Sequence, residues 1–308
     1  MSRSIKLIVA TGITALLLWL GLRSREPQFW QPGPLASSES FGDYEVKIYQ
    51  KEEDSLSDKI LNRLPAFISH VSYRVPGLRE WAGVEILRNH RRVYCDYGTD
   101  FSFAKVGSNT VAGLDVTGDG TPKVALNQSR GRQGGGSIIV FECGVSFRKI
   151  SEIDSLGTYP KLRDLDGDGI PELVVSDDAF YHWPICRDGE PIPEVILRWR
   201  NGKYVAAKDL MYKPAPTKEA IEATVAAIRA STDWDAESCQ APPALWTNAI
   251  ALMYSGHERL GWELVESAWK PWFPYKKELV ESYLLGRLED SVYARDIVVR
   301  FKTSGSLP

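Results

Sequence analysis

The chain has 308 residues, 44% of them hydrophobic, with 37 basic against 40 acidic side chains and a formal charge of −3. That length and apolar share suit about two domains with sizeable cores and exclude a disordered chain. The near-balance of charge offers no global field for DNA or RNA, so no nucleic-acid partner is expected.

The N-terminus carries the first element. After Arg3 and Lys6 come sixteen uncharged residues, LIVATGITALLLWLGL from Leu7 to Leu22, followed by Arg23 and Arg25. A bilayer span needs about 20 apolar residues, and Ile5 with a snorkelling Lys6 extends this run toward that length. The boundary Gly21-Leu22-Arg23 lacks the small-residue pattern that precedes signal cleavage, which favours an uncleaved anchor. No Cys follows the run, which excludes lipoprotein attachment. Residues 1–25 are therefore expected to be a membrane anchor or signal segment, and 26–42, rich in Pro, Gly and Ser, a linker.

Residues 43–100 read as a small α/β region. EVKIY after Tyr44 is strand-like, Ser57 caps a helix with Ile60, Leu61, Leu64 and Ile68 at helical spacing, and Pro65 interrupts it. GVEILRNHRRVYCDYG reads as a strand pair whose Arg88, Arg91 and Arg92 form a solvated face.

Residues 101–212 contain an internal repeat. VAGLDVTGDGTPKVALN, from Val111, aligns with PKLRDLDGDGIPELVVS, from Pro160, so that Asp115 matches Asp164, Asp119 matches Asp168 and Pro122 matches Pro171. Each copy is followed by a strand-turn-strand pattern, IIVFECGVSFRKI and VILRWRNGKYVAA, with Gly144 and Asn201-Gly202 as turn residues. RGRQGGGS, Arg130 to Ser137, lacks the GK[ST] ending of a phosphate loop and reads as a connection between strands.

The second copy has the spacing of a calcium loop. Counting Asp164 as position one, carboxylates stand at one, three, five and nine (Asp164, Asp166, Asp168, Glu172), and Ile170 at seven offers a backbone carbonyl. A hard cation takes six to eight oxygens, and alternate residues of a tight loop aim their side chains inward. An EF-hand would need Glu at position twelve and a following helix, whereas Val175 stands there within a β-type run. The other reading is a solvated acidic turn neutralised in part by Lys161 and Arg163. In the first copy Thr117 replaces the position-three carboxylate and Lys123 occupies position nine, so calcium is not expected; the ammonium reaches the place of the ion and substitutes an internal ion pair.

DLDGDGIPELVV and DVTGDGTPKVAL resemble the FG-GAP or VCBS-type repeat of integrin-like β-propellers. The stretch from about Phe101 to Met211 further resembles a group of exported bacterial proteins. The resemblance covers about a third of the chain and implies an extracytoplasmic interaction module without implying a substrate. With the apolar N-terminal run and the helical pattern of the C-terminal part, the expectation is α+β: antiparallel β repeats of propeller-blade type in two copies, with a C-terminal helical region and an N-terminal membrane helix. A full propeller needs several blades.

Residues 213–308 read as helical. Thr217 caps KEAIEATVAAIRAS, LWTNAIALMYSG ends in glycine, RLGWELVESAW stops before Pro271, and KKELVESYLLGRLEDSVYARDIVVRF keeps helical spacing. NAIALMYSGHERLGWELVESAW is reminiscent of one tetratricopeptide-like hairpin, with a helical cap packed on a sheet as the alternative. Trp246, Trp262, Trp269 and Trp272 are expected in its core, and WKPWFPY, with its two prolines, as an exposed aromatic surface.

Cys95, Cys143, Cys186 and Cys239 are too widely spaced for a zinc motif and suit disulfides in an oxidising compartment; of three possible connectivities Cys95–Cys143 with Cys186–Cys239 is favoured, and four buried free thiols are the alternative. There is no G-x-S-x-G and no H-E-x-x-H, and the cluster Asp177, Asp178, His182 reads as a turn. Two functions remain. One is a calcium-stabilised protein held at the cell inner membrane by a single pass, its body in the periplasm or outside the cell, binding an envelope protein or a glycan. The other is an envelope hydrolase acting on glycan or peptidoglycan through paired acids.

Overall fold

The computed structural model describes residues 32–50, 82–97, 100–129, 135–156, 158–181, 191–234, 241–273 and 277–298. The N-terminal apolar run, the helix expected from Ser57, and Cys186, Cys239 and His182 lie outside the described residues. The fold is α+β with mostly antiparallel sheets, and the chain divides into two compact units, Met1–Ser102 and Phe103–Pro308.

The first unit holds an antiparallel four-stranded meander in chain order: β1 (Leu35–Phe41), β2 (Tyr44–Tyr49), β3 (Gly83–Arg88) and β4 (Arg91–Tyr97). β1 occupies part of the expected linker. Its LASSESF sequence has little strand character of its own, but the Gly42-Asp43 turn folds it onto YEVKIY, with Phe41 opposite Tyr44. Tyr44, Val46 and Ile48 are buried while the residues between them are half-buried, the period of a sheet with one covered face. Asn89 and His90 both take positive φ, 48° and 63°, which suits the two-residue turn joining β3 to β4. The basic cluster is a surface feature: Arg88 lies over the Tyr44 ring, and Arg92 pairs with Glu85 at 3.3 Å.

β5 (Phe101–Phe103) spans the division between the units. The second unit continues with the short hairpin β6 (Lys105–Val106) and β7 (Asn109–Thr110), then β8 (Ala112–Leu114), β9 (Lys123–Ser129), β10 (Gly135–Cys143) and β11 (Phe147–Leu156). β12 (Lys161–Arg163), β13 (Glu172–Ser176), β14 (Glu194–Arg200) and β15 (Lys203–Ala206) follow. The internal repeat is thus two meanders of the same plan, β8 to β11 and β12 to β15, each antiparallel throughout. β6 extends the second meander by pairing parallel with β12. Asn201 at φ 51° and Gly202 at φ 81° form the expected hairpin turn.

Among the described residues six helices follow: α1 (Lys208–Met211), α2 (Lys218–Ala230), α3 (Pro243–Tyr254), α4 (Glu258–Ala268), α5 (Lys277–Asp290) and α6 (Ala294–Ile297). Thr217 caps α2 by accepting the Ala220 N–H, as its position predicts. α3 and α4 meet closely, because a Cβ at Gly261 would stand 2.7 Å from the Ala249 carbonyl oxygen. The last apolar pattern divides at Ser291, whose hydroxyl accepts the N–H groups of Tyr293 and Ala294 and starts α6. Trp246 is fully buried and Trp269 nearly so, in one core with Val140, Val175 and Val195 from both meanders. WKPWFPY buries Trp269 and Phe273 and leaves Trp272 55% exposed, so only one described ring of that stretch faces outward.

One buried carboxylate ties the helices to the sheet. Asp177, 1% exposed, follows β13 and caps a 3₁₀ turn (Asp178–Phe180) by accepting the Ala179 N–H. Its other oxygen accepts the hydroxyls of Tyr254 in α3 and of Ser291. Burial, reinforced by the negative Asp177, pushes the Tyr254 hydroxyl well above its ordinary value, and Tyr293 beside it is pushed up to about 12, first by burial. The Tyr254 hydroxyl is thus held in its neutral form as the donor to Asp177.

Candidate metal centre

The two acidic loops share one hydrogen-bond scaffold. In the first, Asp115 accepts the N–H groups of Gly118 at 2.9 Å and Gly120 at 2.7 Å; in the second, Asp164 accepts those of Gly167 at 2.7 Å and Gly169 at 3.1 Å. Asp119 likewise accepts the Thr121 N–H, and Asp168 the Ile170 N–H. Aspartate side chains curl these loops in the manner of successive Asx turns, and the glycines supply the positive φ that the curl needs. The loops also touch, since a Cβ at Gly118 would fall 2.4 Å from Ile170 Cδ1.

What fills each loop differs. The Lys123 side chain is fully buried, and its ammonium donates to Asp119 at 2.6 Å and to the Thr121 carbonyl at 2.9 Å, with Asp115 4.0 Å away. The internal ion pair expected for this copy is present. Burial raises the Asp119 carboxyl, but the Lys123 ammonium and the Thr121 hydroxyl and N–H outweigh it and hold the group far below the ordinary 3.8. Asp115 is lowered as well, burial being outweighed by the N–H groups of Thr117, Gly120 and Gly118 and by the Thr117 hydroxyl. A carboxyl depressed in the folded state stabilises it above the unfolded value and loses that contribution as pH falls toward the folded value. Stability should therefore decline as pH drops below about 4. Urea midpoints between pH 6 and pH 2 check this, and the decline should shrink in Asp119→Asn.

In the second loop Asp164, Asp166 and Glu172 converge, each offering an oxygen within 4.8 Å of the others. Asp168 is not in this group, and Ile170 places its side chain on Gly118. The donor chemistry fits a hard cation: three carboxylates, with Glu172 only 1% exposed at the start of β13. Neither Lys161 nor Arg163 supplies the countercharge. That role falls to Arg198 in β14, whose guanidinium reaches Asp166 at 2.5 Å, Glu172 at 3.0 Å and Asp209 in α1 at 2.9 Å. The Leu173–Leu197 register carries Glu172 opposite Arg198 one step along the strands, a pairing that a sequence motif cannot display. The fork raises the Arg198 pKa, chiefly through its hydrogen bond to Asp209.

Compared with family models, curated proteins and solved structures, the chain finds no match. The acidic triad is thus read on its own chemistry.

Among the described cysteines, Cys95 in β4 and Cys143 at the end of β10 carry thiols. Among the described residues no helix is long and apolar enough to cross a membrane.

Proposed function

We propose that the chain is a calcium-stabilised binding protein of the bacterial cell envelope, held at the inner membrane by its N-terminal segment with its body in the periplasm or outside the cell. The partner is an envelope protein or a glycan. The observation that carries this reading is the convergence of Asp164, Asp166 and Glu172 in a loop whose carboxylate spacing suits a hard cation. The two four-stranded meanders support repeats of the FG-GAP or VCBS kind, used as blade-like modules. Sites of extracellular modules bind calcium at about 10⁻⁴–10⁻³ M, a range met outside the cytoplasm.

Calcium in tenfold excess over its dissociation constant should raise the melting temperature of the full chain by about 3 °C relative to chelator, and magnesium should do less. Equal melting in calcium and chelator would contradict the calcium reading. Turnover of a glycan or peptidoglycan substrate by the purified chain would replace the binding role with a hydrolytic one.

A further inference from the structure

Every oxygen of the acidic triad already has a donor from the chain. Asp164 accepts the N–H groups of Gly167 and Gly169. Asp166 accepts the Asp168 N–H on Oδ1 and Arg198 Nη2 on Oδ2. Glu172 accepts Arg198 Nε on Oε1 and the Leu165 N–H on Oε2. Four of these donors are backbone groups of the loop, and the other two belong to one guanidinium from another strand. The third arm of that guanidinium, Nη1, goes to Asp209, whose side chain is 62% exposed.

The first loop offers an internal comparison. On the same Asx scaffold the chain places a buried ammonium, Lys123, against Asp119 and Asp115. Both loops therefore hold a cation of the chain itself, from position nine in one case and from the facing strand in the other. The two are unlike in how firmly the cation is committed. Lys123 is wholly buried and donates only inside its own loop, whereas Arg198 divides itself between the loop and an exposed carboxylate outside it.

We propose that Arg198 is the resident cation of the second loop, that a divalent ion binds there by displacing it from Asp166 and Glu172, and that Asp209 holds the displaced guanidinium. The identity of the displacing ion rests on the calcium reading above. Glu172 is too buried to stand without a countercharge, so the loop exchanges one cation for another instead of opening an uncompensated site. A divalent ion seated on Asp166 and Glu172 would stand a few ångströms from the guanidinium on the same two carboxylates, where their like charges repel. Binding is then felt in β14 and α1, where Arg198 and Asp209 reside.

Calcium isotherms of the full 308-residue chain in mild detergent test this, using the natural protein, Arg198→Gln, Asp209→Asn and the double variant. Arg198→Gln should bind calcium about tenfold tighter or more, because the competing cation is gone. Asp209→Asn should bind it several-fold more weakly, because the guanidinium loses its alternative partner, and this effect should largely vanish in the double variant. Asp209 is exposed, so its replacement leaves the fold in place and tests the idea even if Arg198→Gln folds poorly. Binding in Arg198→Gln equal to or weaker than in the natural chain overturns the exchange while leaving calcium binding intact. An Asp209→Asn effect that persists undiminished in the double variant overturns it too. Binding by Arg198→Gln alone would leave Arg198 as a permanent cation of the loop and overturn both its displacement and the calcium reading for the natural chain, and binding by none of the four overturns both as well.

Discussion

Replacing Asp177 with alanine should destabilise the second unit by about 3–4 kcal/mol, the largest effect of any single truncation proposed here. The carboxylate is buried and accepts three donors: the Tyr254 hydroxyl, the Ser291 hydroxyl and the Ala179 N–H. Alanine leaves all three in a site closed to water, at about 1–3 kcal/mol for each donor that finds no substitute. Tyr254 and Ser291 stand 3.5 Å apart and recover part of that by turning to each other. Asparagine keeps an acceptor for the cap and for one hydroxyl, so Asp177→Asn should cost about half as much, and Tyr254→Phe about 1 kcal/mol. Urea midpoints at unchanged slope give the values. A loss below 1 kcal/mol for Asp177→Ala would mean that the helices dock on the sheet through apolar contacts alone.

Lys123→Glu should behave in two opposite ways depending on calcium. In chelator the substitution removes the only cation among the described contacts of the first loop and sets a third carboxylate, fully enclosed, beside Asp115 and Asp119. The cost should be about 3–5 kcal/mol, the range for breaking a buried pair by changing one partner. Lys123→Met keeps the apolar stem and should cost less, about 2 kcal/mol. Thr117→Asp added to Lys123→Glu restores carboxylates at positions one, three, five and nine on the scaffold that the second loop already uses. Calcium at about a hundredfold excess over its dissociation constant would then return about 2.7 kcal/mol. Melting in calcium and in chelator, with and without the two substitutions, measures this. A double variant as unstable in calcium as in chelator would show that the first loop has lost more than its charges.

Much of this was legible in the chain because the repeat is written in local chemistry. Asp, Gly and Asn at fixed offsets dictate Asx curls and tight turns, so the matching scaffolds at Asp115 and Asp164, the Asn201-Gly202 hairpin and the Lys123 ion pair all follow from neighbours within a few residues. Strand β1 was not legible, since LASSESF becomes a strand only through its pairing with YEVKIY. Arg198 was hidden for a different reason. It meets Glu172 through hairpin register and Asp166 and Asp209 through the curvature of the loop and the placement of α1, none of which leaves a motif. The same holds for Asp177, whose partners Tyr254 and Ser291 lie 77 and 114 residues away. The sequence therefore marks three carboxylates that converge in the second loop, Asp164, Asp166 and Glu172, and leaves Arg198 and the link to the helices to tertiary packing.

A cation site in the second loop is tested by a calorimetric calcium titration of the full chain after stripping with chelator, beside Asp166→Ala. One saturable site per chain in the natural protein, absent in the variant while melting in chelator stays similar, is the expected result. No heat of binding in the natural protein, or equal binding by Asp166→Ala, would contradict the claim and leave Asp164, Asp166 and Glu172 as an acidic turn closed by Arg198.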